Sequence, residues 1–216
     1  MGLSAARHGL PLVVAGLGRS FPKYFSWWLG YGKKLPGSRR AAQLIRALAP
    51  DAPVVWLDST DTVIVNPLVG SAQRAVADVV GRTGVHRVLS GAECYSFPRC
   101  YQSDYARDPA HVECTARSPT CYPNSGAYLA TGVGLERWFE AQNDTLHSFL
   151  NTPMSNAECT HDQAVLHHMV LNRTAPRYTG LDMRLDDESA FFLNMHQCRP
   201  PQHWRFRNVS MCYHRE

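Results

Sequence analysis

The chain has 216 residues, a length that suits one compact domain and is short for two. A hydrophobic share of 44% and a charged share of 19% belong to a globular protein, and with no apolar run of about 18 residues the sequence offers no membrane span. Net charge is only +4 and the basic residues are scattered, so no nucleic-acid-binding surface is expected.

In chain order, Leu12-Val-Val-Ala15 is a β-branched run closed by Gly16 and Gly18, and reads as a buried strand and its turn. Residues 19–37 mix prolines and glycines with Phe21, Tyr24, Phe25, Trp27 and Trp28, an aromatic loop. Ser38 stands as an N-cap before Ala41, Leu44, Ile45 and Leu48, whose spacing predicts a helix that Pro50 stops. Pro53-Val-Val-Trp-Leu57 is continuously apolar, the pattern of a strand buried on both faces of a parallel sheet, and it ends at Asp58. Val63 to Val65 continues or restarts strand, residues 71–80 read as a helix, and Arg87-Val-Leu-Ser90 as a strand. This alternation predicts an α/β fold with a mixed, mostly parallel sheet flanked by helices.

Residues 94–123 hold no period and are rich in Cys, Pro, Tyr and Asp, which predicts a long disulfide-tied loop. Tyr128-Leu-Ala130 reads as a strand, and residues 134–142 as a helix carrying Leu135, Trp138 and Phe139, followed by a polar insertion over 143–159. Thr160-His-Asp-Gln163 fits a capping box with Thr160 as N-cap, opening a helix whose buried stripe is Val165, Leu166, Met169 and Val170. Beyond Gly180, Ala190-Phe-Phe-Leu193 is strand-like and precedes an arginine- and aromatic-rich tail.

Seven cysteines all follow residue 93, and three sequons begin at Asn143, Asn172 and Asn208. Both features favour an oxidising, lumenal or extracellular compartment, although the N-terminus carries no clear signal peptide. Zinc is the competing use of the cysteines through Cys159-Thr-His161 and His196-Gln-Cys198, but neither pair has the gap of a common zinc knuckle, and disulfides are weighed above it.

The sharpest chemical feature is Asp58-Ser-Thr-Asp61, two carboxylates three residues apart where an apolar strand ends. Strand ends open into the ligand crevice of a parallel α/β sheet. If the chain turns at Ser59-Thr60 the acids converge, and a divalent ion with oxygen ligands then offsets their repulsion. The bland alternative makes Asp58 a turn cap and Asp61 a solvated side chain. A haloacid-dehalogenase-like phosphatase is a further alternative, but it needs acids two apart and a downstream lysine, and the last lysine here is Lys34.

Three further pieces follow in order: Ala92-Glu93 with Phe97-Pro98, then Asn124-Ser-Gly126, then Asp162-Gln163. Each alone is ordinary turn or cap chemistry. Together with the acidic pair they resemble the glycosyltransferase domain of the procollagen-lysine hydroxylase and glycosyltransferase family, of GT-A type, over residues 12 to 208. The resemblance implies a transferase moving a hexose from UDP-glucose or UDP-galactose to a collagen-like hydroxylysine or a glycan acceptor, in the endoplasmic reticulum or Golgi lumen or outside the cell.

It further implies that Asp58 and Asp61 hold Mn²⁺ or Mg²⁺ on the donor diphosphate, with His214 as a substitute third ligand. Lys34, or equally Lys33, lies near the nucleotide, while Asn124, Ser125, Gly126, Gln163 and Phe97 line the donor. Asp162, Glu93 and Asn124 are the catalytic candidates. Against the family pattern, the single domain of 1–216 lacks a first strand and a C-terminal His-Gly segment. An inactive fragment, or a binding module of the same fold, is therefore the alternative. No His-x-Asp iron dyad occurs, so no hydroxylase activity is expected.

Overall fold

The computed structural model describes residues 34–58, 71–81, 85–96, 99–150, 161–189 and 191–192. The expected strand at residues 12–15, residues 19–33 of the aromatic loop, strand 63–65 and the C-terminal tail lie outside them, whereas residues 34–37 of that loop form the first turn of a helix.

Among the described residues four strands form one sheet. These are β1 (Pro53–Leu57), β2 (His86–Glu93), β3 (Tyr122–Thr131) and β4 (Leu181–Leu185), in the order β1-β3-β2-β4. β3 runs antiparallel to both β1 and β2, and β2 runs parallel to β4. The fold is thus mixed α/β, but the sheet is not mostly parallel, because β3 is inserted between β1 and β2. The apolar run of β1 consequently pairs antiparallel, and with Val55 44% exposed it is not buried on both faces.

Side chains alternate across the sheet. Val88, Tyr128 and Ala130 face one side, where they pack with α1 (Lys34–Leu48), α5 (Gly132–Leu150) and α6 (Asp162–Leu171). Leu89 and Leu129 face the other, against α2 (Ser71–Val80) and Phe192. On the first face Trp138 meets Tyr128 edge-on at 5.5 Å, and Phe139 meets Trp56 at 4.8 Å. Such aromatic pairs add about 0.5–1.5 kcal/mol each beyond area burial.

α1 begins at Lys34, so Ser38 is not its N-cap but a buried residue of the second turn. The helix buries Leu35, Ser38 and Ala42, with Ile45 partly buried, whereas Leu44 and Leu48 are 68% and 85% exposed. The expected stripe was rotated because Leu44 and Leu48 are the larger apolar residues, while the small Ser38 and Ala42 permit close approach to α5. Arg46 to Glu136 at 2.6 Å and Arg39 to Glu140 at 3.5 Å tie the two helices. At the turn into α5, a Cβ on Gly132 would stand 2.4 Å from the Ala49 carbonyl oxygen, so only glycine fits.

The expected loop over 94–123 contains helical structure: a 3₁₀ turn at Arg99–Tyr101, then α3 (Gln102–Tyr105) and α4 (Pro109–Arg117). A disulfide, Cys114 to Cys121, fastens α4 to the start of β3. α5 runs on through Asn143 to Leu150, so the first part of the expected insertion over 143–159 is helix, because Leu146 and Phe149 reach the core and Thr145 Oγ1 lies 2.9 Å from the Tyr178 hydroxyl; residues 151–159 lie outside the described residues. α6 is buried nearly all round, including Val165, Leu166, Met169 and Val170. Among the described residues the last strand is β4; of the expected strand over 190–193 only Phe191 and Phe192 are described, and they follow a turn in which both backbone N–H groups donate to Asp186.

Candidate functional site

β1 and β2 run the same way because each is antiparallel to β3, so Asp58 and Glu93 emerge at one edge of the sheet. β3 enters at that edge irregularly. Ser90 pairs with Tyr128 and Ala92 with Pro123, so two steps along β2 match five along β3. Pro123 has no N–H for the ladder, and Gly126 tolerates the bend, a bulge of the kind that re-aims side chains. Asn124-Ser-Gly126 therefore sits inside β3, not in a turn before it. The Asp58 N–H donates to the Gly126 carbonyl at 2.8 Å, anchoring the end of β1 to this bulge.

The N-termini of α1 and α6 meet the same edge. Lys34 Nζ lies 2.8 Å from Asp58 Oδ1 and 2.9 Å from Asp162 Oδ2, one ammonium bridging two carboxylates. The Asp162 side chain is 4% exposed, Lys34 26% and Asp58 36%. Burial opposes the charge of Lys34, yet Asp162 and Asp58 outweigh it and hold its pKa above the ordinary value. Burial likewise pushes Asp162 up, but His161 and Lys34 outweigh it and hold the carboxyl below the ordinary value. Both groups are ionised at neutral pH.

Glu93 is buried beside this triad and accepts from Asn124 Nδ2 at 3.1 Å and from Gln163 Nε2. Gln163 Oε1 accepts from Ser125 Oγ at 3.3 Å, Asn124 Oδ1 accepts from the Gly126 N–H at 2.8 Å, and Ser90 Oγ donates to the Asn124 carbonyl at 3.1 Å. Both amide nitrogens face Glu93, and the other ends of the two amides are occupied by Ser125 and the Gly126 N–H, so the network fixes their orientation. A Cβ on Gly126 would fall 3.0 Å from Asn124 Oδ1 and 3.2 Å from Asp58 Oδ2. The glycine is what lets the amide and the carboxylate lie against the same backbone.

Eight residues singled out from the sequence are thus in one cluster: Lys34, Asp58, Glu93, Asn124, Ser125, Gly126, Asp162 and Gln163. Asp61, Phe97, His214 and Lys33 lie outside the described residues. The capping box is corrected. His161 is the N-cap of α6, and the Gln163 N–H is shared between its Nδ1 at 3.2 Å and Asp162 Oδ1 at 3.0 Å. The Gln163 side chain turns away to Glu93 and Ser125. His161 and Ser90 are the participants that sequence reasoning missed. His161 was read only as a residue inside the capping box and as a possible zinc ligand beside Cys159, not as a cap, and Ser90 carried no signal.

Asp58 supplies hard carboxylate oxygens on a partly exposed side chain, the donor type that Mn²⁺ and Mg²⁺ take. Among the described residues no group of three or more His, Cys, Asp or Glu gathers to hold a metal. On donor chemistry Asp58 fits such an ion, provided Lys34 gives up its contact with that carboxylate. The chain matches no protein-family model, no curated protein and no solved structure.

Proposed function

We propose that the chain is a GT-A-like glycosyltransferase domain that moves a hexose from UDP-glucose or UDP-galactose to an acceptor hydroxyl, on a collagen-like hydroxylysine or a glycan, in a lumenal or extracellular compartment. The observation that carries the reading is convergence. Residues chosen from short motifs up to 128 positions apart contact one another at the carboxyl edge of β1 and β2. Lys34 is a cation able to meet a departing diphosphate. Glu93, held by two amides, is a fixed acceptor for a sugar hydroxyl, and Asp162 is a second acid able to orient a hydroxyl of the sugar or the acceptor. Mn²⁺ or Mg²⁺ held by Asp58 and Asp61, with His214 as the third ligand, would act as a Lewis acid on the diphosphate oxygens.

The test is turnover of UDP-hexose with Mn²⁺ by the wild type and by D58A, D61A and D162N, each checked for folding by circular dichroism. Loss of about 100-fold or more in each is expected, the scale of removing a transition-state stabilising group. Full activity in D58A or D61A removes the metal role. A second reading, a binding module without turnover, is favoured by one observation: Lys34 already satisfies both Asp58 and Asp162, so the triad is a stable strut in its own right. UDP binding with no turnover by the folded wild type selects that reading.

A further inference from the structure

The two sequons that fall in described residues sit in opposite environments. Asn143 lies in the middle of α5 and is 6% exposed, and its Thr145 is 1% exposed, with Oγ1 donating to the Ala141 carbonyl at 2.8 Å. A glycan on Asn143 would have to leave through packed helix, so a chain carrying one does not reach this fold. Asn172 is the exposed C-cap of α6, in a turn closed by the Ala175 N–H on the Asn172 carbonyl at 2.8 Å, and Thr174 is exposed beside it.

The middle residue of that sequon holds the turn in place. Arg173 reaches Asp108 with both terminal nitrogens at 3.2 Å and donates to the Val170 carbonyl at 2.9 Å. Asn172 Nδ2 donates to the His168 carbonyl at 2.8 Å. Because the amide nitrogen has two hydrogens, one can be replaced while the other keeps that bond. The side chain also borders an open groove of about 470 Å³ with Tyr101, Asp104 and Asp108, so a first sugar has room and polar neighbours.

We propose that Asn172 is an N-glycosylation site of this protein and that Asn143 is not. In the transfer, a bond forms between Asn172 Nδ2 and C1 of the first sugar of a polyprenyl-diphosphate-linked oligosaccharide. The C1–O bond to the lipid diphosphate breaks, and Nδ2 gives up one proton. The test expresses the full chain behind a secretion leader in a eukaryotic cell and takes material from both the lumen and the medium.

Peptide N-glycosidase treatment in ¹⁸O water then marks each former glycan site as ¹⁸O-aspartate for mass spectrometry. The label is expected at residue 172 and, in the protease-resistant folded fraction, is expected to be absent at residue 143. T174A, which leaves Asn172 in place, is expected to abolish the label at 172 and with it one step of gel mobility. No label at 172 in lumenal material, or label at 143 in the folded fraction, overturns the proposal. Neither result bears on UDP-sugar turnover, which is read separately.

Discussion

At the scale of single residues the structure turns on one lysine between two acids. Removing Lys34 leaves Asp162 charged and almost fully buried. K34M is expected to cost about 2–4 kcal/mol, below the range for a wholly buried pair because Asp58 is more than one third exposed; urea unfolding checks this. Asp162 has a folded pKa below its ordinary value of 3.8, so its contribution is intact above that pH and is lost as pH falls through the lower folded value. Lys34, raised above 10.5, contributes fully below that pH and loses its contribution as pH rises through the higher folded value. D162N is expected to flatten the acid limb of a plot of urea midpoint against pH while leaving the neutral-to-mildly-alkaline slope unchanged. A wild-type acid limb retained in D162N would contradict the triad. G126A adds a methyl between Asn124 and Asp58, and a displacement of a few tenths of an ångström is expected to lower turnover by about tenfold, with a melting shift too small to explain it. Asp58 was legible as the end of an apolar strand, whereas Glu93, Asn124, Gly126 and Asp162 were singled out only by the order of their motifs and the resemblance it carries, since each motif alone is ordinary turn or cap chemistry. The role of Lys34 as a bridge was not legible, since it depends on two partners 24 and 128 residues away.

At the scale of elements, hydrophobic size misled where small residues pack. Leu44 and Leu48 on α1 are exposed, whereas Leu35 is 1% exposed in the main core. L44K and L48K are expected to leave the melting midpoint nearly unchanged, within about 0.5 kcal/mol, while L35A costs about 2–5 kcal/mol. The reverse ranking in thermal unfolding would restore the rotation the sequence suggests. α2 was read with its observed bounds because its apolar spacing and its packing agree. α5 was cut short because Asn143-Asp-Thr145 looks like loop chemistry; tertiary contacts of Leu146, Phe149 and Thr145 override that local signal. β4 escaped notice because Leu181-Asp-Met-Arg-Leu185 alternates over only five residues, and its parallel pairing with β2, from His86 opposite Leu181 to Ser90 opposite Leu185 and with Arg87 Nε donating to Asp182 at 2.9 Å, joins segments that no local pattern links.

At the scale of the whole molecule, alternating helices and strands were enough to predict an α/β class but not the direction of pairing. Strand direction was misjudged at β3, because a strand that returns antiparallel between two parallel neighbours leaves no mark in composition. That same reversal gives the site its form, since it brings Asn124, Ser125 and Gly126 to the edge where β1 and β2 end. The Cys114–Cys121 link closes a short loop at this end of β3, and on loop-closure entropy it contributes about 2–3 kcal/mol.

The most direct measurement is isothermal titration of the folded chain with UDP, with and without Mn²⁺, repeated on D58A. Binding that requires the metal and is lost in D58A is the predicted result. Metal-independent binding, or unchanged affinity in D58A, would contradict the place of Asp58 at a donor diphosphate, and no binding at all to the folded wild type would contradict the donor site itself.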